Sequence, residues 1–455
     1  MARIQERAEG HPPSPAPRLR AAGLRRRCAA AWRAVVADNW GSRSATWPDA
    51  HGAPDERGNR TVVTVDIFGR CRSYTESREA RAARLYPYFT PFEGQDATVA
   101  QTADGDVLMC GSNNYLGLTS DPRVKAAAQA AIEEYGSSRT GSRLLNGNTP
   151  LHEELERELA DFLGMPAALV FPTGYQANVG VIASLLSRHD VAILDREAHA
   201  SVYDGCGMSR AKTRRFAHND MDDLERQLAA SPSDAGRLVV VDGVYSMAGD
   251  LCPLTEVVRL CRQYGARLLV DDAHGIGVLA EGRGTSAHFG VTDEVDLVTV
   301  TFSKSLASIG GAVLGPEDVI EYLRHHARSL IFSASATPAN LAAAYAALRI
   351  LRAQPWLCRQ AVENASYVRR ELTALGYEPF PSETPIVSVR LDGMQQTLRA
   401  WRNLLDRGVY VNAVVPPAAS PRLRASFSTT HTPEQLKRVV AAFAEVRDLM
   451  PLEDR

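Results

Sequence analysis

From about residue 105 onward the chain alternates short apolar runs with segments of helical spacing, and this alternation restricts the fold more than any other feature. Val239-Val240-Val241, Leu268-Leu269-Val270 and Leu297-Val298-Thr299-Val300 read as buried strands, separated by stretches such as Leu254 to Tyr264 with helical periodicity. A mostly parallel sheet with helices on both faces accommodates that order.

One helix is well specified. Thr149 can cap it, Pro150 suits its first turn, Leu151, Leu155, Leu159 and Phe162 fall on one face, and Gly164 stops it. It leads into Ala167 to Phe171, a strand ending at Pro172-Thr173-Gly174-Tyr175. After about residue 350 the texture changes. A helix is expected through Trp356 to Leu375, a strand over Ile386 to Leu391, a helix near Leu398 to Asp406, strands over Val409 to Val414 and Arg424 to Ser428, and a last helix from Pro433. The expected organisation is an extension over 1–80, a segment over 81–118 that packs with the small domain, a large domain over 119–348 and a smaller α+β domain over 349–455.

The length of 455 residues is enough for a large core, and 45% hydrophobic with 23% charged residues describes a soluble globular chain. A net charge of -2 gives no global attraction to nucleic acid or anionic lipid. The seven cysteines (28, 71, 110, 206, 252, 261, 358) are scattered, without metal-ligand spacing, so reduced thiols in the cytoplasm and no metal are expected. The longest uncharged run, Ser329 to Leu348, contains Pro338 and Asn340 and does not read as a membrane span. The first forty residues combine a Pro-rich patch with Arg25, Arg26 and Arg27 and lack the apolar core of a secretory signal. They read as a disordered arm leading into a short helix, with a basic surface anchor on a membrane as the alternative.

In an open α/β sheet, functional groups gather at the carboxyl ends of the strands. Here those ends carry Thr173-Gly174-Tyr175 and Asn178, then Asp195 and His199-Ala200-Ser201, then Asp242 and Ser246, then Asp271-Asp272-Ala273-His274, and finally Ser303-Lys304. Thr-Gly-Tyr at a strand-to-helix turn suits an anion, although by itself a plain turn glycine is the better explanation until another phosphate ligand converges on it. Asp271 or Asp272 can neutralise a protonated ring nitrogen or merely cap a helix, and His199 can stack on a planar ligand or fill a core position.

Lys304 discriminates between these readings. Of the 51 basic residues only four are lysines (Lys125, Lys212, Lys304 and Lys437), and this one follows a β-branched run and precedes Gly310-Gly311. A lysine beside a buried strand must pair its charge, lose its proton or react. With Thr301 and Ser303 nearby to hold an anion and an Asp and a His on neighbouring strand ends, a Schiff-base lysine is the natural explanation. Arginine stays protonated and cannot serve as that nitrogen.

Nine stretches then carry a resemblance: GSNNYLGL (111–118), TGSRLLNGNTPLHEELE (140–156), PTGYQAN (172–178), HAS (199–201), HNDMDDLE (218–225), DGVYSMAGD (242–250), VDDAHGIGV (270–278), TFSKSLASIGG (301–311) and RASFSTTHT (424–432). In this order the sequence resembles the pyridoxal phosphate-dependent α-oxoamine synthases of the fold-type I aminotransferase superfamily, over roughly residues 80 to 450. Within that family HNDMDDLE, GTSAHFG (284–290), TFSKSLASIGG and FSASATP (332–338) look most like the bacterial serine palmitoyltransferases.

The resemblance implies an α/β fold with a mostly parallel seven-stranded sheet, a smaller C-terminal domain and pyridoxal 5'-phosphate as cofactor. It implies that Lys304 forms the Schiff base and later moves the α-proton, His199 stacks on the pyridine ring, Asp271 pairs with the ring nitrogen and His274 approaches the ring hydroxyl. Gly174, Tyr175, Thr301 and Ser303 would hold the phosphate, with Asn178 and Ser246 close by, and Arg424 would bind the amino acid carboxylate. It further implies a homodimer in which Asn113 and residues 333–337 serve the partner's site. The expected reaction joins an amino acid, best matched by L-serine, to a long acyl thioester such as palmitoyl-CoA, releasing the thiol and CO2 and leaving an α-amino ketone such as 3-ketodihydrosphingosine. The alternatives are a natural-product synthase using alanine or glycine with another coenzyme A or carrier-protein thioester, transamination on the same fold, and a silent regulatory subunit. Retention of Lys304, Asp271, His199 and Arg424 speaks against the last.

Overall fold

The computed structural model describes residues 66–416 and 418–449, and the expected arm or anchor around Arg25 to Arg27 lies outside them. Contacts divide the chain into Met1–Tyr86 and Pro87–Arg455. The described part of the first unit carries two short helices, Gly69–Ser73 and Glu76–Ala82. All that follows, Cys71 apart, concerns the second.

This unit opens with an antiparallel meander, β1 (Gly94–Asp96), β2 (Val99–Thr102) and β3 (Gly105–Met109). Its centre is a seven-stranded sheet of β4 (Ala167–Phe171), β5 (Val191–Asp195), β6 (Lys212–Phe216), β7 (Arg237–Asp242), β8 (Arg267–Asp271), β9 (Leu297–Thr301) and β10 (Gly311–Gly315). The order is β4-β10-β9-β8-β7-β5-β6, with β10 antiparallel to both neighbours and the other pairs parallel. The apolar runs are strands because both faces are covered: Val239 and Val241 enter one core while Leu238 and Val240 enter the other. Every residue of β5, β8 from Leu268 onward, and β9 is buried.

The expected helix after Thr149 spans Pro150–Leu163, and Gly164 ends it at φ +68°, a left-handed conformation that a residue without Cβ adopts at least cost. The uncharged run after Ser329 yields a helix at Pro338–Ala353, packed against Pro122–Tyr135. Among the described residues no helix is long and apolar enough to cross a membrane. The described cysteines, at 71, 110, 206, 252, 261 and 358, are free thiols.

The smaller C-terminal domain holds β11 (Ile386–Arg390), β12 (Val409–Tyr410), β13 (Asn412–Val414) and β14 (Arg422–Ser426), with helices Trp356–Ala374, Met394–Asp406 and Pro433–Asp448. Two details differ from the sequence reading. The single strand expected over Val409 to Val414 is divided at Val411, because β12 pairs in parallel with β3 whereas β13 pairs with β14 in the antiparallel sheet β11-β14-β13. The last strand also lies two residues earlier than expected. Its ladder to β11 ends at Ser426, and Ser428 instead donates its N–H to His431 Nδ1.

Candidate active site

Three neighbouring strands, β8, β7 and β5, end in Asp271, Asp242 and Asp195, and β9 ends in Thr301. Parallel register sets Asp242 beside Asp271 and Asp271 beside Thr299, so a two-residue side-chain period turns these groups to a common edge. A cavity of about 350 Å3 opens there. It is lined by all ten residues assigned to the cofactor from sequence: Gly174, Tyr175, Asn178, His199, Ser246, Asp271, His274, Thr301, Ser303 and Lys304.

One end of the cavity is built for an anion. Thr173 caps the Gly174–Leu185 helix by accepting from the Gln176 N–H, so the first-turn N–H groups and the positive end of the helix dipole face the opening. Thr301 Oγ1 and Ser303 Oγ lie 2.7 Å apart beside it. A Cβ on Gly174 would stand 2.9 Å from the Thr301 side chain, and one on Gly311 would stand 2.5 Å from the Gly174 Cα. Both glycines are therefore required by close approach. Gly310, at φ +153°, makes the turn into β10 and accepts a hydrogen bond from Thr301 Oγ1 at 3.1 Å. Tyr175 lines the same end, but its hydroxyl is engaged by Asp204.

The opposite wall separates the two adjacent carboxylates. Asp271 accepts from Asn178 Nδ2 at 2.6 Å and from the Ala273 N–H at 3.0 Å, whereas Asp272 turns away to the Thr285 N–H at 2.9 Å and its hydroxyl. Asp272 thus fastens a loop, with burial pushing its carboxyl up to about 6. Burial and the neighbouring Asp271 hold the Asp242 carboxyl well above the ordinary carboxylate range. It accepts from the His199 N–H at 3.2 Å and so anchors the chain that presents His199, whose Nδ1 faces Ser201 Oγ at 2.7 Å.

Burial brings Lys304 down to about 8, against the attraction of Asp271 and in the same sense as the repulsion from Arg424. Roughly a tenth of the amine is therefore neutral near pH 7, far more than for an ordinary lysine. His274 is held well below its usual value by burial and by the charges of Lys304 and Arg424, so it is a neutral imidazole. Its Nδ1 lies 2.8 Å from the Tyr115 hydroxyl, which burial keeps protonated and which also donates to Asn113 Oδ1 at 3.3 Å.

Arg424 and Asn113 are not among the residues lining the cavity but are tied to it. Arg424 Nε donates to the Ser246 carbonyl at 2.6 Å, and its Nη2 donates to Asn113 Oδ1 at 3.1 Å. Sequence reasoning assigned no role to Tyr115 or Thr299 and none to Asp242 beyond its place at a strand end. Tyr115 lay within GSNNYLGL, Thr299 within the β-branched run before Lys304 and Asp242 at a strand end, so their positions were visible although their partners were not.

A lysine at the carboxyl end of a doubly wound sheet, facing a buried carboxylate and a helix N-terminus, defines the class of protein. The aminotransferase class I and II family model matches residues 105–443. A serine palmitoyltransferase of Sphingobacterium spiritivorum is 43% identical over 372 residues, 81% of this chain and 93% of its own length. An 8-amino-7-oxononanoate synthase of Lysinibacillus sphaericus is 42% identical over 343 residues, 74% of this chain and 88% of its own. Among solved structures, a serine palmitoyltransferase from S. paucimobilis with a bound PLP–myriocin aldimine aligns with a TM-score of 0.82 at 36% identity, covering 85% of this chain and 99% of that one. The chain belongs to the aminotransferase class I and II family and, within it, to the pyridoxal phosphate-dependent α-oxoamine synthases.

Proposed function

We propose that this chain is an acyltransferase that condenses L-serine with a long-chain acyl thioester, best matched by palmitoyl-CoA, and releases CO2 and the free thiol. The observation that carries the reading is Lys304, half-buried in the cavity, with its amine brought down to about 8 by desolvation against the attraction of Asp271. The residues fit pyridoxal phosphate: the Gly174 cradle that a Cβ would fill, with Thr301 and Ser303, suits its phosphate, and Asp271 suits its protonated ring nitrogen. Tyr175 would complete the phosphate end, with Asn178 and Ser246 alongside, His199 would cover the ring face, and His274 would approach the ring hydroxyl. When bound, this cofactor supplies an electron-withdrawing ring that accepts the charge left when a bond to an amino acid Cα breaks.

The protein's own part is to position groups and move protons. Lys304 would hold the cofactor, and as a neutral amine it is the base for the Cα proton. Arg424 grips the carboxylate with its two-pronged guanidinium, and Asn113 and the Ser246 carbonyl fix that guanidinium. His199 donates toward the substrate carboxylate or the thioester oxygen as negative charge builds there. The Cα then bonds to the thioester carbonyl carbon as the C–S bond breaks, the thiolate takes a proton from solvent, the carboxylate departs as CO2, and Lys304 returns its proton to Cα.

A second reading rests on the 8-amino-7-oxononanoate synthase relatives, whose 42% identity is comparable with the 43% of the serine palmitoyltransferases. It assigns alanine or glycine and another coenzyme A or carrier-protein thioester to the same site. In either reading we take the protein to be a cytoplasmic homodimer, with residues 333–337 serving the partner's site.

The test is purified protein reconstituted with pyridoxal phosphate, an absorbance band at the edge of the visible that shifts with serine, and loss of that band in Lys304→Ala. Mass spectrometry of products from mixed amino acids and acyl-CoAs of several lengths then separates the two readings. A protein that binds no chromophore overturns both.

A further inference from the structure

His218 lies outside the cavity, in the HNDMDDLE stretch, and the chemistry above leaves it unused. Its Nδ1 is 3.0 Å from Asp195 Oδ1 and its Nε2 is 2.8 Å from Asp250 Oδ2. A neutral imidazole has one N–H and cannot donate to both carboxylates, so the geometry requires the imidazolium. Burial alone would lower its pKa, but the hydrogen bonds and charges of Asp195 and Asp250 raise it to about 10. The Tyr245 ring stands edge-on at 4.3 Å, and Asn219 reinforces the bridge, donating its N–H to Asp195 at 2.9 Å and its side-chain amide to Asp250 at 3.1 Å.

The two carboxylates belong to segments that serve the site. Asp195 ends β5, four residues before His199. Asp250 closes the loop after β7, in which the Tyr245 N–H donates to the Asp250 carbonyl at 2.9 Å and the Gly249 N–H donates to the Tyr245 carbonyl at 2.8 Å. The next residue along, Ser246, presents the carbonyl that receives Arg424 Nε. From the other side Ser388 donates to the Met247 carbonyl, and Ser382 donates to the Gly249 carbonyl at 2.7 Å. The loop is thus held between the C-terminal domain and His218.

We propose that His218, bridging Asp195 and Asp250 through both ring nitrogens, is a positioning residue that sets the orientation of Arg424 toward the substrate carboxylate. The chain of contacts runs from His218 to Asp250, through the closed loop to the Ser246 carbonyl, and on to the guanidinium. This rests on the reading of Arg424 as the carboxylate-binding residue.

The experiment titrates amino acid into full-length, cofactor-loaded wild type, His218→Gln, Asp250→Asn and the double variant, following the visible band, with the thioester KM and the cofactor affinity measured in parallel. His218→Gln is expected to weaken amino acid binding about tenfold, since a charge-assisted hydrogen bond is lost, while the other two constants stay within about twofold. The double variant is expected to be no weaker than the single ones, because the two residues act as one unit. Unchanged amino acid affinity in His218→Gln overturns the proposal, as does an equal loss of all three constants. Where His218→Gln does not fold, Asp250→Asn carries the same expectation and the same refutation. A wild-type band that ignores every amino acid refutes the reading of Arg424 and this proposal with it, whereas a responsive wild type with an unaltered variant refutes the bridge alone.

Discussion

Asn178 donates to Asp271 at 2.6 Å while its own carbonyl oxygen accepts from the Thr299 hydroxyl at 2.6 Å, so its amide is locked in the orientation that points a donor at the carboxylate. A ligand with a protonated ring nitrogen meets a carboxylate already fixed in place. Asn178→Ala removes that lock and leaves Asp271 short of a partner in a buried position. The expectation is roughly tenfold weaker binding of pyridoxal phosphate, in line with the cost of an unsatisfied buried group. An absorbance titration of cofactor into stripped protein measures it, and an unchanged affinity would sink the role given to this amide.

Gly311 lies against the start of the Gly174 helix so closely that a Cβ there would stand 2.5 Å from the Gly174 Cα and 2.8 Å from the Val300 carbonyl oxygen. Backbone cannot yield as a flexible side chain does. Gly311→Ala is expected to lose about 1–3 kcal/mol of stability, the usual cost of overpacking, and to weaken the phosphate end of the site. Gly207, on an exposed helix surface with nothing within 4 Å of its virtual Cβ, is the control. Gly207→Ala should be neutral or slightly stabilising in thermal unfolding.

The lysine amine reacts in its neutral form. Burial brings Lys304 from 10.5 down to about 8. The rate at which stripped protein captures pyridoxal phosphate should therefore rise with pH through about 8 and level off well below 10.5. Asp271 favours the charged amine, so Asp271→Asn should move the rise to lower pH. A stopped-flow pH profile decides this, and a wild-type midpoint near the ordinary lysine value would contradict the environment described.

His218 has its folded-state value raised from 6.5 to about 10. A group raised in this way contributes stability that is fully present below about 6.5 and is lost as pH rises through about 10. The gap in Tm between wild type and His218→Gln should be widest at pH 6 and should close steadily toward pH 10. A gap that is constant across that window would mean that the bridge carries no charge.

Much of this organisation is visible in the linear chain. Val239 to Val241 and Leu268 to Val270 are strands because nothing but a doubly covered sheet absorbs such runs, and Thr149, Pro150 and Gly164 delimit their helix by local chemistry that needs no tertiary partner. Lys304 stood out because arginine is the usual base of this sequence. Other features depend on partners far away along the chain. The break at Val411 arises because two sheets compete for one extended segment, and no residue there announces it. The division of labour between Asp271 and Asp272 is likewise invisible in the doublet, since it depends on Asn178 lying 93 residues before one carboxylate and Thr285 lying 13 after the other.

The sequence by itself determined the period-2 strands, the capped helices and the set of reactive residue types at the strand ends, because those follow from neighbours within a few positions. Tertiary structure alone decided which of those residues act together. Parallel register set Asp195, Asp242 and Asp271 on adjacent strand ends, burial raised the proton affinity of Asp242, and the packing of the C-terminal domain brought Arg424 to the Ser246 carbonyl. Charge and proton affinity depend on distance and desolvation, and both are created only when remote segments close around the site.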